Sequence, residues 1–124
     1  MTFMQHLQSS LILGTKMSNP EEEHFIKQQC KELFSYIKTS QVEHIKYLIE
    51  AGVDPDKCEN KHLSALAFSV KNEYYEAVQC LLTYGSNPNY KDCFGRRPMD
   101  YALETKNSKM IELLNRYGAY SAQT

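Results

Sequence analysis

At 124 residues the chain suffices for one domain with a modest core. An apolar content of 42%, a charged content of 23% and a formal net charge of −1 exclude a disordered polyelectrolyte and any bulk attraction to nucleic acid or anionic lipid. No apolar run is long enough to cross a bilayer, and the N-terminal stretch has an apolar patch (Leu11 to Leu13) without the basic flank of a secretory signal.

Residues 1–19 are therefore expected to be a flexible extension, within which Met17 offers an alternative start. The first element begins at Asn19, an N-cap residue, followed by Pro20 at the first helical position and Glu21 to Glu23 at the positive end of the helix dipole. Phe25, Ile26, Cys30, Leu33, Phe34 and Ile37 keep one helical face, so the spacing predicts a long helix over 20–38. It should cover the outer face of the domain as a cap. Val42, Ile45, Leu48 and Ile49 then form a second stripe that stops before Gly52.

The pattern then recurs. Ser64 to Asn72 reads as a short helix carrying Leu66, Ser69 and Val70. The next helix carries Ala77, Val78, Leu81 and Leu82 at i, i+1, i+4 and i+5. Gly85 follows, suited to a left-handed helix end, and Asn87-Pro88-Asn89 bars continuation. Pro98 opens the third copy's first helix, Ser108 serves as N-cap of its second, and Gly118 ends it. Asn115 stands where the earlier copies have Leu82 and Ile49, which suits a face with nothing stacked on it. Residues 120–124 form a short tail in which no fourth copy begins.

One period underlies these elements. Gly52, Gly85 and Gly118 are separated by 85 − 52 = 33 and 118 − 85 = 33 residues. The same spacing links Leu33, Leu66 and Met99; Ile45, Val78 and Ile111; and Leu48, Leu81 and Leu114. Three units at about 26–58, 59–91 and 92–119 make one domain over 20–119. A single helix pair cannot bury its apolar face, so the units must stack. The expected fold is an all-α solenoid of about three stacked helix pairs with short hairpin loops and an extended N-terminal capping helix.

The residues Asp92, Gly95, Pro98, Ala102, Ile111, Leu114, Gly118 and Ala119 resemble the ankyrin-repeat family in kind and spacing. The second unit resembles it at Leu66, Glu76, Val78, Leu81, Leu82, Gly85 and Asn89, and the first at Leu33, Val42, Ile45, Leu48, Ile49 and Gly52. The family's Thr-Pro-Leu-His tetrapeptide is replaced by Ser64-Ala65-Leu66-Ala67 and Arg97-Pro98-Met99-Asp100, so its inter-unit hydrogen bonds should be mostly missing. Tyr36 replaces a small alanine, as suits a terminal unit.

The inventory of reactive groups points away from catalysis. No phosphate-binding Gly loop, nucleophile elbow or metalloprotease motif is present. His6, His24, His44 and His62 lie too far apart for a zinc site, and no metal or cofactor is expected. Asp100 and Glu104 read as charges on a solvated helix. Cys30, Cys58, Cys80 and Cys93 form no C-x-x-C pair; all four are read as reduced thiols of an intracellular protein, cytoplasmic or nuclear.

What remains is binding. The resemblance implies a partner protein held by hairpin tips and inner helix faces. By register these positions include Lys38 in the first unit; Asn60, Lys61, Leu63, Lys71 and Asn72 in the second; and Lys91, Phe94, Arg96 and Glu104 in the third, with Tyr90 at a hairpin base. Lys38, Lys61, Lys71, Lys91 and Arg96 face the single acid Glu104, so an acidic partner segment is expected, with Phe94 and Leu63 as apolar anchors. The competing reading is a solvated face of unpatterned charge. By analogy with small stand-alone members of the family, the chain would be an adaptor or stoichiometric inhibitor, monomeric when free. Two alternatives use the same surface: a nucleic-acid-associated regulator on the basic strip, and a substrate of an asparagine hydroxylase at Asn89. The neutral net charge weighs against the first. Asn87 and Pro88 depart from the residues the second would need.

Overall fold

Six α-helices, one 3₁₀ turn and a two-stranded ribbon account for residues 20–120, the part of the chain this computed structural model describes. In chain order they are α1 (Pro20–Lys38), α2 (Val42–Glu50), the 3₁₀ turn (Pro55–Lys57), β1 (Glu59–Asn60), β2 (Leu63–Ser64), α3 (Ala65–Lys71), α4 (Tyr75–Thr83), α5 (Pro98–Thr105) and α6 (Ser108–Arg116). The helices pair as α1 with α2, α3 with α4 and α5 with α6. Inner helices stack as α1, α3, α5, and the outer α2 packs on α4. This is the expected all-α stack, and α1 spans the residues expected of the cap. Asn19 and the extension before it lie outside the described residues, as do residues 121–124.

The 33-residue registers are the core. Leu33, Leu66 and Met99 are buried, as are Leu48, Leu81 and Leu114. Ile45 and Val78 are fully buried, while Ile111 in the last described helix is only partly covered. Asn115, which replaces the apolar Leu82 and Ile49 of the earlier units, is exposed.

Each outer helix ends in the same hydrogen-bonded cap. After α4 the Gly85 N–H donates to the Leu82 carbonyl at 3.2 Å and the Ser86 N–H to the Leu81 carbonyl at 2.9 Å. Gly52 with Val53 and Gly118 with Ala119 repeat this pattern after α2 and α6. Gly85 has φ +98°, a conformation costly to any residue with a Cβ, although nothing lies within 4 Å of where that atom would be.

The inner helices end with the same cap, which the sequence concealed. Ser40, Glu73 and Lys106 have φ of 56°, 60° and 57°, and are again spaced by 73 − 40 = 33 and 106 − 73 = 33 residues. A side chain in the left-handed region costs about 1–2 kcal/mol. Lys106 is exposed, so Lys106→Gly is expected to raise the unfolding free energy by about 1 kcal/mol, the relief exceeding the added entropy of the unfolded chain. Urea denaturation measures this; a destabilised variant would mean that the Lys106 side chain contributes more than its backbone costs.

Three sequence expectations need correction. The N-cap of α6 is Asn107, whose side-chain oxygen accepts from the Met110 N–H at 3.0 Å, and Ser108 is already helical. Asp100 is not a solvated charge: it is 8% exposed, and its carboxylate accepts from the Arg97 N–H at 2.7 Å, capping the start of α5. Nor are all four cysteines reduced thiols. Cys30 on α1 and Cys58 after the 3₁₀ turn are joined in a disulfide, with Cα atoms 5.3 Å apart. The fold lays the first hairpin against α1 and so brings together two cysteines 28 residues apart in sequence. Cys80 is a buried free thiol, its pKa raised by burial, and Cys93 is an exposed one.

Candidate functional site

The first hairpin is a two-residue ribbon in which Glu59 pairs with Ser64 and Asn60 with Leu63. Lys61 and His62 make its turn, both at positive φ (52° and 73°), as a tight two-residue hairpin requires. Between α4 and α5 an aspartate organises the matching turn. Asp92 Oδ1 accepts from the Phe94 and Arg96 N–H groups, each at 2.9 Å, and the Tyr101 hydroxyl donates to Oδ2. Burial alone would raise the Asp92 carboxyl, but these donors, Tyr101 foremost, outweigh it and hold the carboxyl below the usual range. Burial, together with the bond to Asp92, pushes the Tyr101 hydroxyl up to about 12.

Tyr101 is the residue that sequence reasoning missed. Its ring takes the Lys71 ammonium at 5.9 Å and the Arg96 guanidinium at 5.2 Å. One unit earlier, Phe68 takes the Lys38 ammonium at 5.8 Å. Lys38 and Lys71 are 71 − 38 = 33 residues apart, as are Phe68 and Tyr101 (101 − 68 = 33). An aromatic residue on each of α3 and α5 thus receives the cation that ends the preceding inner helix. This second period was available in the sequence.

Lys61, Leu63, Lys71, Phe94 and Arg96 are brought together with Tyr101 around a cavity of about 460 Å³. Phe94 projects at its edge, 72% exposed, with its ring edge-on to His62 at 6.1 Å. Lys38, Asn60 and Lys61 line a neighbouring cavity of about 680 Å³. The other expected residues do not join them. Asn72 donates its amide to the Phe68 carbonyl at 2.9 Å, closing its own helix. Tyr90 is half-buried and Lys91 exposed, and neither lines these two cavities. Two anchoring roles change. Leu63 is 8% exposed and belongs to the core, so it is part of a floor and not a fingertip. Arg96 is paired with Glu104 at 3.2 Å, so the excess of positive charge in the third unit is smaller than a residue count suggests.

Successive units are tied by polar side chains at one register position. The Asp56 carboxylate accepts from the Asn87 N–H at 3.1 and 3.2 Å, and burial raises its pKa. Asn89, one period on, accepts from the Tyr120 N–H at 2.9 Å and donates to the Gly118 carbonyl at 3.1 Å. The Asn89 amide thus holds consecutive turns together, a structural task that accounts for its presence.

Comparison with known proteins follows this register. Residues 33–123 match the family described as Ankyrin repeats (3 copies). The chain belongs to the ankyrin-repeat family. It is similar to an ankyrin repeat protein of fowlpox virus, 26% identical over 112 residues that cover 90% of this chain and 26% of the relative. It also resembles one from Acanthamoeba polyphaga mimivirus, 23% identical over 86% of this chain and 66% of the relative. Mouse Rabankyrin-5 is 46% identical, over 39 residues that are 32% of this chain and 3% of that protein. The chain therefore spans about a quarter of the fowlpox relative and a small part of the mouse one. Ankyrin repeats are a non-catalytic interaction fold and mark the chain as a protein-protein interaction module. Among the described residues no helix is long and apolar enough to cross a membrane, and no three His, Cys, Asp or Glu side chains are grouped to hold a metal ion.

Proposed function

We propose that this ankyrin-repeat protein is an adaptor or stoichiometric inhibitor, without enzymatic activity, that holds one segment of a partner protein along its inner helices and hairpins. The observation that carries this reading is the cavity shared by Lys61, Lys71, Phe94, Arg96 and Tyr101. It joins two hairpin tips to two inner helices, and it sets an exposed aromatic residue among cations over an apolar floor. The repeat units are 26–58, 59–91 and 92–119, and the free protein is a monomer. Its place is inside the cell, cytoplasmic or nuclear. The exposed thiol of Cys93 favours this, since it would mispair in an oxidising compartment. Cys30–Cys58 is then a bond whose occupancy follows the redox state of the compartment.

Affinity capture from cell extract with wild type and the Lys61→Glu, Arg96→Glu pair, read by mass spectrometry, tests this reading. A protein held by wild type and lost by the pair supports the concave face. A partner retained by both places the contact on the outer helices or near the N-terminus.

A further inference from the structure

The cavity of about 680 Å³ lies between the exposed flank of α1 and the first hairpin. Its apolar floor is Ile26, Cys30 and Phe34, and Ile26 is 46% exposed. Lysines ring that floor: Lys27, Lys31 and Lys38 from α1, and Lys57 and Lys61 from the hairpin side. Glu59 is the single acidic residue in the lining. The chain as a whole carries a formal charge of −1, so this concentration of cations is local and not a reflection of composition. The Cys30–Cys58 bond ties one wall to the other, immediately beside Lys57. While that bond is formed, the lysines of α1 and those of the hairpin side flank the floor at a held separation. Like charges gathered over an apolar floor repel, and an anionic ligand relieves that repulsion while covering the floor.

We propose that this groove docks an acidic peptide segment of the partner protein, with one large aliphatic or aromatic side chain on the floor of Ile26, Cys30 and Phe34 and flanking carboxylates on the lysine rim. The proposal rests on the protein-binding reading above and narrows it to a charge class and to the N-terminal end of the surface. The volume lies in the range that encloses a ligand of a few side chains. A protein segment fits better than a nucleic acid. The one aromatic ring of the floor, Phe34, is buried, so the groove offers no exposed platform on which bases could stack. Lys61 lines both this groove and the cavity around Tyr101.

The test uses the full chain and a fluorescent peptide with one Phe set between runs of Glu, followed by anisotropy. A peptide with Lys in place of Glu and a labelled oligothymidine are the comparison probes. Lys31 and Lys57 are exposed, so Lys31→Glu with Lys57→Glu should leave the melting curve unchanged. That pair is expected to weaken the acidic peptide about tenfold or more, with a smaller loss for Ile26→Ser. Lys109→Glu, exposed on α6 and in the lining of neither cavity, should stay within about twofold of wild type. Equal affinity for the Glu and Lys peptides overturns the proposal. So does oligothymidine that binds as tightly and competes, since the site would then accept any polyanion. If Lys71→Glu abolishes binding and the Lys31, Lys57 pair does not, the groove assignment falls while the protein-binding reading stands. If the natural partner is captured normally by that pair and lost by Lys71→Glu with Arg96→Glu, two residues that line only the cavity around Tyr101, the same conclusion follows.

Discussion

Leu81→Ala is expected to lower the unfolding free energy by about 2–5 kcal/mol. Leu81 has no exposed surface and belongs to the register Leu48, Leu81, Leu114, of which it is the middle copy. Its helix α4 packs on α3 of the same unit and on α2 of the preceding one. Truncation leaves a void in a region that a solenoid cannot readily collapse, because each unit contacts only its neighbours. The Leu81 carbonyl also accepts the Ser86 N–H that closes the helix, and the backbone there is held in place while the side chain is lost. Leu103→Ala is the control: Leu103 lies 43% exposed on α5, and its truncation should cost about 0.5 kcal/mol or less. Urea melts of the two variants decide the matter. A shift in midpoint at constant slope reports a loss of stability; a reduced slope reports that the units have come apart. A cost for Leu81→Ala as small as that for Leu103→Ala would mean that the shared register does not form the core.

The register that makes Leu81 central was legible because it rests on local rules. Apolar residues at helical spacing, glycine at a left-handed helix end and proline at a helix start each act within a few residues. Gly52, Gly85 and Gly118 announced three outer-helix ends for that reason. Ser40, Glu73 and Lys106 adopt a similar left-handed backbone at the inner-helix ends, yet none carries the residue type that signals it. Packing imposes the conformation and the chain accepts the strain. Asp100 was misread because solvated acids are common on short helices, whereas here the carboxylate turns back to the Arg97 amide.

The binding surface was only partly legible. Register carried Lys61, Lys71, Phe94 and Arg96 to one cavity, but it could not show that Glu104 pairs with Arg96 or that Leu63 is buried. Both depend on side-chain direction across elements that spacing does not specify. Lys27, Lys31 and Lys57 were overlooked for another reason. They lie on the cap and on the turn beside it, where the family register assigns no contact. The lysine-lined groove exists only once the first hairpin folds back over α1.

Reduction of Cys30–Cys58 is expected to lower the unfolding free energy by about 3–4 kcal/mol, the loop-closure value for a bond spanning 28 positions. The bond acts mainly on the unfolded chain, whose ends at α1 and the first hairpin it keeps together. The folded state has a further reason to suffer. Among the described residues α1 meets one neighbouring unit, through α3, whereas α3 lies between α1 and α5. Cys58 is 1% exposed and Cys30 half-buried, so the reduced thiols stay covered as small hydrophobes and the change is not dominated by desolvation. Thermal melts with and without a phosphine reductant measure the effect, and Cys30→Ser with Cys58→Ser should reproduce the reduced curve. Intact mass before reduction should be lower by two hydrogens than after it, and alkylation of the native oxidised chain should mark Cys93 and spare buried Cys80. An unchanged midpoint on reduction would show that the clamp adds nothing to the fold. Loss of α1 protection in hydrogen exchange, with α3 to α6 intact, would place its effect where the structure does: on the cap and on the groove that the cap forms with the first hairpin.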